Sequence, residues 1–542
     1  MFEVAANRRR IHTNERLATP PVFPVSLFSV SPLFASFRRL FLVAATLGAG
    51  VVRAYPPATL PPAYTVADLD RIQQQAADRA MERFPKAVIA IVDRDGRVLL
   101  LRRADGTGSI LANERAIAVA KAGTAVFLSS NEHAFTPRTA GFIIQENFPP
   151  GIRNRPPGPL VGVGFSNLAY SDINYFRDVS GARILLTRLR ASPGGVPLYK
   201  NGRLFAGVGV HGDGTEAEFT TDDGYDLTLG PDEDEAIALA GQIGYAPDPR
   251  LHATGVLIDG IRLPYVKTPV RAARVAGAAP VIPAAVPPPP FVWPTDTLGG
   301  VTGEIRAPIV TDPMAGLIDG QPRLSAAEVR GILAAGAARA RQTRAGIRLP
   351  VGRPAQVFIS VVNNPAAPGV APSVLGTFRT PDATLFSWDV SVQKARTVVY
   401  YSSATRAYSG RAIGFLSQVH YPPGIARRPP GPLDGEQFDV SLPLLVSAAS
   451  TTNGDPALPN GVTIFPGAFP LFRNGVMIGA VGVSGDGIDQ DDLIAASAGA
   501  AFVPPAAVRS DAFVEGGVRL PYAKFPRDAQ LRSEVRPLTS GP

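Results

Sequence analysis

The sequence predicts an α+β protein of two tandem modules, each a small antiparallel sheet flanked by helices. Three observations support this prediction. A long segment of the chain repeats with its spacing preserved, each copy begins with apolar residues at helical spacing, and each contains apolar runs joined by turn-forming residues. At 542 residues the chain is too long for one compact core, and two similar modules are expected to pack as a pseudo-dimer.

The repeat is clearest in two blocks that align without a gap. Residues 121–160 match residues 394–433, and the strings PPGI and PPGPL occur in register in both. The same offset relates PLYKNGRLF at Pro197 to PLFRNGVMI at Pro470. A closing motif, IRLPYVK in copy one and VRLPYAK in copy two, falls at an offset sixteen residues smaller, so copy two is shorter after its Gly-Asp-Gly sequence.

These matches define the predicted domains. The stretch after copy one is rich in Ala and Pro and has neither a helical nor a strand period, which is typical of a semi-rigid linker. The predicted segments are a leader at 1–54, a first module at 60–267, a linker at 268–320, a second module at 321–527 and a tail at 528–542.

Local signals give the same order of elements in both copies. Thr65 is a suitable N-cap for a first helix. Asp95-Gly96 lies between two apolar runs and predicts a hairpin, and Asn-Gly pairs at positions 201 and 474 predict a second hairpin in each copy. Small residues at helical spacing predict a helix packed closely on the sheet, namely Ala118, Ala122 and Ala125 in copy one and Ser391, Ala395 and Val398 in copy two.

The first 54 residues have the layout of a secretory leader. Arg38 and Arg39 precede an apolar stretch over residues 40–52, and Ala54 offers a small residue for cleavage. The stretch is shorter than the roughly twenty residues of a membrane-spanning helix. We therefore expect a periplasmic or secreted protein without a permanent membrane span. Both the general and the twin-arginine export routes stay open, as does the true start codon.

The composition excludes several kinds of site. The chain has no Cys, which removes disulfides, thiolate nucleophiles, Cys-ligated zinc and iron–sulfur clusters. The formal charge is +8, but much of the excess lies in the leader, so the modules lack the basic face of a nucleic-acid-binding protein. We expect no nucleic-acid partner. No nucleophile elbow, Walker loop, dinucleotide fingerprint or zinc-protease motif occurs.

A series of short motifs resembles the GlcG/HbpS family of haem-binding and haem-degrading proteins. Copy one contains, in order, Val92-Asp93-x-Asp95-Gly96, Lys121-Ala122-x-Thr124-Ala125, Pro193-Gly194-Gly195-x-Pro197, Gly207-Val208-Gly209-Val210 and Asp234-Glu235-Ala236. Copy two keeps Lys394 and Thr397 but has Gly467-Ala468 in place of the Gly-Gly pair. The resemblance implies an α/β module that assembles into oligomers and binds haem, with haem degradation or iron handling in some relatives.

Four residues shared by the two copies are the candidate cofactor-binding residues. Lys121 and Thr124 in copy one recur as Lys394 and Thr397 in copy two. A Lys ammonium beside a hydroxyl can hold a carboxylate such as a haem propionate. A Lys that only lies beside the sheet would produce the same pattern, so both interpretations stay open.

A single histidine is the candidate metal ligand. His133 follows the helix that carries Lys121, and we consider it as the axial ligand of a haem iron, although Arg406 occupies the aligned position in copy two. For the acidic run at 232–235 we favour first-turn acids that complement a helix dipole over a cation site.

The leading prediction is an exported haem-binding protein, with haem or iron handling or haem-dependent redox sensing as its candidate roles. The expected partner is haem or a small anionic ligand, together with further copies of the chain through self-association. Two alternatives stay open. One is a cofactor-free structural or interaction protein of the same fold, because no His is shared between the copies. The other is an enzyme that binds a small organic acid through Lys121.

Overall fold

A computed structural model describes residues 63–527 and residue 529, apart from several internal stretches. The stretches left out are 146, 153–154, 164–170, 174–175, 185–188, 215, 217–229, 426, 438, 441–454 and 528. The predicted leader lies outside the described residues, as does almost all of the predicted tail. The described residues all belong to one compact unit.

The α-helices of the two modules recur in the same order. Each first helix begins at a capping box, formed by Thr65 with Asp68 in module one and by Ser325 with Glu328 in module two, and the predicted N-cap at Thr65 is confirmed. The helices are α1 Val66–Ala80, α2 Ala112–Phe127, α3 Pro137–Ile143, α4 Glu233–Gln242, α5 Ala326–Gln342, α6 Phe386–Tyr401, α7 Gly410–Leu416 and α8 Ile488–Ala498.

The strands form one main sheet in each module. They are β1 Val88–Asp93, β2 Arg97–Arg103, β3 Arg177–Asp178, β4 Gly195–Lys200, β5 Arg203–His211, β6 Leu257–Ile258, β7 Ile261–Arg262, β8 Thr295–Leu298, β9 Val301–Ala307, β10 Phe358–Asn363, β11 Val374–Arg379, β12 Ala468–Arg473, β13 Val476–Ser484, β14 Val514–Glu515 and β15 Val518–Arg519. Module one has the order β3-β2-β1-β5-β4, with only β2 and β3 parallel, and module two has the order β12-β13-β10-β11-β9-β8. The predicted α+β class is therefore confirmed.

The predicted hairpins form for the expected reason. Asn201 and Gly202 have φ values of 53° and 72°, and Asn474 and Gly475 have φ values of 49° and 83°. Two consecutive residues with positive φ match the twist of antiparallel strands, and the Asn-Gly pair adopts this conformation at little cost. These turns connect β4 to β5 and β12 to β13.

The small-residue helices pack closely on the sheets, as predicted. A Cβ atom added at Gly209 of β5 would lie 2.9 Å from Cα of Ala122 in α2. A Cβ atom added at Gly482 of β13 would lie 2.9 Å from the backbone nitrogen of Ala395 in α6. Both distances are shorter than van der Waals contact, so each interface depends on glycine in the strand and a small residue in the helix.

The structure corrects the predicted linker. Strands β8 and β9 fall inside the 268–320 segment, pair with each other, and join the sheet of module two because β9 pairs with β11. The C-terminal part of this segment therefore belongs to the second module. The polar sequence of β8, TDTL, has one buried residue, so it carries little of the apolar alternation from which a strand is predicted.

The two modules pack together through a shared interior. One hydrophobic cluster contains Val88 and Phe127 of module one together with Phe358 and Trp388 of module two. This packing agrees with the expected pseudo-dimer.

A buried charge cluster crosses the same interface. Asp382 accepts from Arg94 Nη2 at 2.5 Å and from Arg348 Nη1 at 2.7 Å. Arg348 is fully buried, and it also donates to Ser130 of module one at 3.2 Å and pairs with Asp486 of module two.

Among the described helices, none is long and apolar enough to span a membrane.

Candidate functional site

The lysine of the first module lies in a buried ion pair. Lys121 on α2 is 0% exposed, and its Nζ lies 2.8 Å from Oδ2 of Asp234 and 2.8 Å from Oε1 of Glu216. Burial alone would lower the pKa of this lysine, but the two carboxylates raise it above its usual value. Lys121 is therefore a charged structural residue whose ammonium is already neutralised.

The second module repeats this pair with a different neighbour. Lys394 on α6 is 2% exposed, and its Nζ donates to Oδ2 of Asp491 and to the carbonyl oxygen of Val483, both at 2.8 Å. Burial raises the pKa of Asp491 to about 6, although the nearby ammonium favours its charged form. The lysine therefore has one carboxylate partner here.

A glycine with positive φ makes room for each pair. Gly194 has φ +112°, and a Cβ atom there would lie 2.7 Å from Cβ of Asp234. Gly467 has φ +109°, and a Cβ atom there would lie 2.7 Å from Cβ of Asp491 and 3.0 Å from Nζ of Lys394. The first glycine of the Gly-Gly motif is thus required in both modules by conformation and by space.

The repeated threonines have backbone roles. Thr124 donates to the carbonyl oxygen of Ala120 at 2.8 Å and accepts from the backbone nitrogen of Arg190 at 2.8 Å. Thr397 donates to the carbonyl oxygen of Gln393 and accepts from the backbone nitrogen of Thr463 at 3.2 Å. Both hydroxyls are fully buried. Their hydrogen bonds connect the segment before β4 to α2 in module one, and the segment before β12 to α6 in module two.

Sequence reasoning missed a second repeated ion pair. Arg138 on α3 binds Glu235 on α4, with Nε and Nη2 at 2.7 and 2.9 Å from the two carboxylate oxygens. Arg411 on α7 also binds α8, but it divides its donors between two aspartates, with Nε donating to Asp492 and Nη2 to Asp489 at 2.6 Å. The acidic run at 232–235 does form the first turn of a helix, as predicted, but two of its members are also buried partners of distant cations. The sequence could have indicated this pairing only through the repeat, because Arg138 and Arg411, like Glu235 and Asp492, occupy equivalent positions in the two copies.

The structure does not favour the axial-ligand role predicted for His133. Its ring is 0% exposed, Nδ1 lies 2.9 Å from Oγ of Ser130, and Nε2 lies 3.0 Å from the carbonyl oxygen of Leu128. Burial, together with the charge of Arg348, lowers its pKa to about 3. With both nitrogens in hydrogen bonds and its side chain fully buried, His133 is placed as a neutral core histidine.

One group of side chains has the composition of a metal site. His211, Glu216 and Asp234 have ligand atoms within 4.8 Å of one another. However, the ammonium of Lys121 contacts both carboxylates, so a positive charge already occupies the centre of the group. The cluster is therefore accounted for without a metal ion.

A cavity of about 410 Å³ lies between the modules, and we call it the intermodule cavity. Its apolar lining comes from both modules, with Leu128, Phe135, Ile143, Leu160, Leu257 and Ile258 from module one and Ile347, Phe386, Phe465 and Ile488 from module two. Its charged residues come mainly from module two and include Arg344, Lys394, Asp489, Asp491, Lys524 and Arg527. This volume falls within the roughly 300–1,000 Å³ of pockets that bind organic ligands.

The cavity brings together only part of the predicted site. Lys394 lines it, whereas Lys121, Thr124, His133 and Thr397 are not among its lining residues. The first turn of α8 also faces it, from Ile488 through Asp491. A cavity lined by apolar side chains and several cations suits a flat, largely apolar molecule that carries carboxylates.

Fold and site together define a protein of two similar α+β modules with an amphipathic cavity between them. The family model described as "Haem degrading protein HbpS-like" matches residues 65–218 and 328–500, more than half of the chain. The chain belongs to this HbpS-like family and carries it in two tandem copies. No curated protein matches the chain.

Several solved structures are similar to parts of the chain. A haem complex of PduOC is 27% identical, covers 33% of this chain and 95% of its own, and has a TM-score of 0.21. The protein ORFY of Klebsiella pneumoniae is 18% identical, with coverages of 33% and 88% and a TM-score of 0.21. A double mutant of Streptomyces reticuli HbpS is 20% identical, with coverages of 39% and 99% and a TM-score of 0.20.

The lining residues of the intermodule cavity fit haem in part. Haem needs apolar surface for its ring, cations for its propionates and an electron-pair donor for its iron. The cavity offers the first two. Among its described lining residues there is no His, Tyr, Met or Cys, and its buried lysine is already paired with Asp491.

Proposed function

We propose that this protein binds haem in the intermodule cavity. The observation that carries the proposal is an amphipathic cavity of suitable size in a chain of the HbpS-like family. The apolar side chains that both modules contribute would bury the ring, and the cations of module two would neutralise its carboxylates. Haem or iron handling, or haem-dependent redox sensing, would follow from such binding.

Titration with haemin tests the proposal. The purified full-length chain should give a saturable Soret band with one haemin per chain, since the cavity is formed once, between the modules. Two haemins per chain would place a site inside each module and contradict the intermodule site. Absence of a saturable band would reject haem binding in favour of a small anionic ligand or a cofactor-free protein.

We also propose that the chain is exported by the leader at residues 1–54. The support is the order of Arg38, Arg39 and the apolar stretch that follows them. Cell fractionation should find the full chain in the periplasm or medium, and a chain without residues 1–54 in the cytoplasm. Cytoplasmic retention of both would contradict export. Substituting Lys for both arginines would block the twin-arginine route only.

Self-association is a further proposal, which rests on the family resemblance. Light scattering after size-exclusion chromatography should give a mass of at least twice 56.9 kDa for the full chain. A monomeric mass at micromolar concentration would contradict it and leave the two modules of one chain as the complete assembly.

A further inference from the structure

We infer that the intermodule cavity recognises a planar tetrapyrrole dicarboxylate by its apolar surface and carboxylates, without a protein side chain bound to the iron. This inference rests on the proposed function. Its consequence is that the metal-free ring, protoporphyrin IX, binds about as tightly as haemin.

The described lining of the cavity contains none of the side chains that usually bind a haem iron. The described lining residues provide apolar side chains, prolines, glycines, carboxylates, arginines, lysines, one serine and one glutamine. Iron in a porphyrin is held by neutral imidazole, thiolate, thioether or phenolate donors, and none of these lines the described cavity. The described histidines lie elsewhere, at His133, His211, His252 and His420.

The two lysines of the lining, Lys394 and Lys524, are both paired with carboxylates. Lys394 Nζ donates hydrogen bonds to Asp491 and to the carbonyl oxygen of Val483, so this nitrogen is directed at protein acceptors and not at a ligand. Lys524 has a 68% exposed side chain and pairs with Asp489 at 2.9 Å.

Two lining cations, Arg344 and Arg527, form no ion pair with a carboxylate of the described residues, and Arg344 is the less exposed of the two. Arg344 lines the cavity, is half-buried, and makes one side-chain hydrogen bond, from Nη1 to the carbonyl oxygen of Ala345 at 3.3 Å. Among the described residues, no carboxylate lies within ion-pair distance of it. A guanidinium can bind a carboxylate through two parallel hydrogen bonds. Arg344 is therefore the group that we expect to fix the carboxylate end of the ligand.

Parallel titrations of the full chain test the inference. Haemin binding is followed by Soret absorption, and protoporphyrin IX binding by its own fluorescence. We expect dissociation constants within about threefold of each other. If haemin binds and protoporphyrin IX binds more than about thirtyfold more weakly, a bond to the iron contributes to the affinity. This result would overturn the inference, while the proposed function would stand. Binding of neither ligand would reject the proposed function itself.

Imidazole provides a second readout. Because the bound iron would have no side-chain ligand, added imidazole can bind it. Imidazole should therefore shift the Soret band of the protein saturated with haemin. A band already typical of a nitrogen-ligated low-spin iron, and unchanged by imidazole, would contradict the inference.

A matched pair of variants tests the role of Arg344. Arg344→Gln should weaken both ligands by a similar factor, about tenfold, because both carry the same carboxylates. Arg330→Gln is the control, since Arg330 is 52% exposed, pairs with Asp296 and does not line the cavity. Circular dichroism should show both variants folded. Unchanged binding of both ligands by folded Arg344→Gln would contradict the assignment.

Discussion

The two modules contain the same buried lysine–aspartate pair but enclose it differently. In module one, Lys121 contacts two carboxylates, and Asp234 also accepts from the backbone nitrogens of Gly212 and Asp213 at 3.2 Å each. In module two, the ammonium of Lys394 has one carboxylate partner, and the residue lines the intermodule cavity. The pair is therefore a structural element of the fold, and its second copy also lines the intermodule cavity.

Chain length accounts for this difference. Between the Gly-Asp-Gly sequence and the aspartate that binds the lysine, copy one has sixteen more residues than copy two. Glu216, the second carboxylate on Lys121, belongs to this extra stretch. Copy two has no counterpart for it, so the corresponding side of the Lys394 pair faces the cavity.

The largest expected effect is on the stability of the two lysine sites. Lys121→Met leaves two buried carboxylates without their cation and should lower the free energy of unfolding by about 3–5 kcal/mol. Lys394→Met should cost less, about 1–3 kcal/mol, because it leaves one buried carboxylate without its cation instead of two. Urea denaturation at pH 7 measures both. Equal losses, or a larger loss for Lys394→Met, would contradict the difference between the modules.

The repeat made these lysines predictable, but their partners were not. Lys121 and Lys394 recur at a constant offset, which marks them without any structure. Asp234 and Asp491 lie 113 and 97 residues further along the chain, and no local pattern connects residues so far apart. Burial decides the role of a lysine, and burial depends on tertiary packing that the spacing of residues does not contain.

The next effect concerns His133, whose aligned residue Arg406 is half-buried and lies over the ring of Phe513. The pKa of His133 is lowered to about 3 by burial, so the folded protein holds it neutral while the unfolded chain protonates it below about 6.5. Keeping His133 neutral therefore costs no stability above about pH 6.5, and the free energy of unfolding decreases as the pH falls from about 6.5 towards 3. His133→Gln should therefore lose about 3 kcal/mol less stability between pH 7 and pH 4 than the wild type.

Arg406→Gln is the matched control for this pH dependence and should retain the wild-type curve. The same loss of stability in His133→Gln as in the wild type would show that the histidine is not held neutral. Haemin affinity should change less than about twofold in His133→Gln, because its ring does not reach the cavity.

The smallest effect belongs to Glu216, which only module one possesses. Burial would raise its pKa, but the hydrogen bond from His211 and the charge of Lys121 hold it at about 2. A lowered carboxylate pKa stabilises the fold above about pH 4.5, and this stability disappears as the pH falls to about 2. Glu216→Gln should cost about 1–2 kcal/mol at pH 7 and lessen the acid-induced loss below pH 4.5. An unchanged acid transition would contradict the pairing.

The fold was more predictable than the site. Helix starts, hairpin turns and the glycine-lined helix contacts follow from local rules, and Thr65, Asn201 and Asn474 adopt the expected conformations. Strand β8 escaped prediction because it is short, polar and stabilised by pairing with β9. The cavity escaped because residues from both modules line it, and no segment of either carries a signal for it.

The central claim is that the ligand binds between the modules, and a pair of equivalent positions tests it most directly. Leu257 and Val514 each begin a short strand of the same repeated motif and are 54% and 63% exposed, but only Leu257 lines the cavity. Haemin titration should show binding at least about tenfold weaker in Leu257→Glu, because a carboxylate in the apolar wall repels an anionic ligand, and unchanged in Val514→Glu. Equal affinities in two folded variants would contradict the intermodule site.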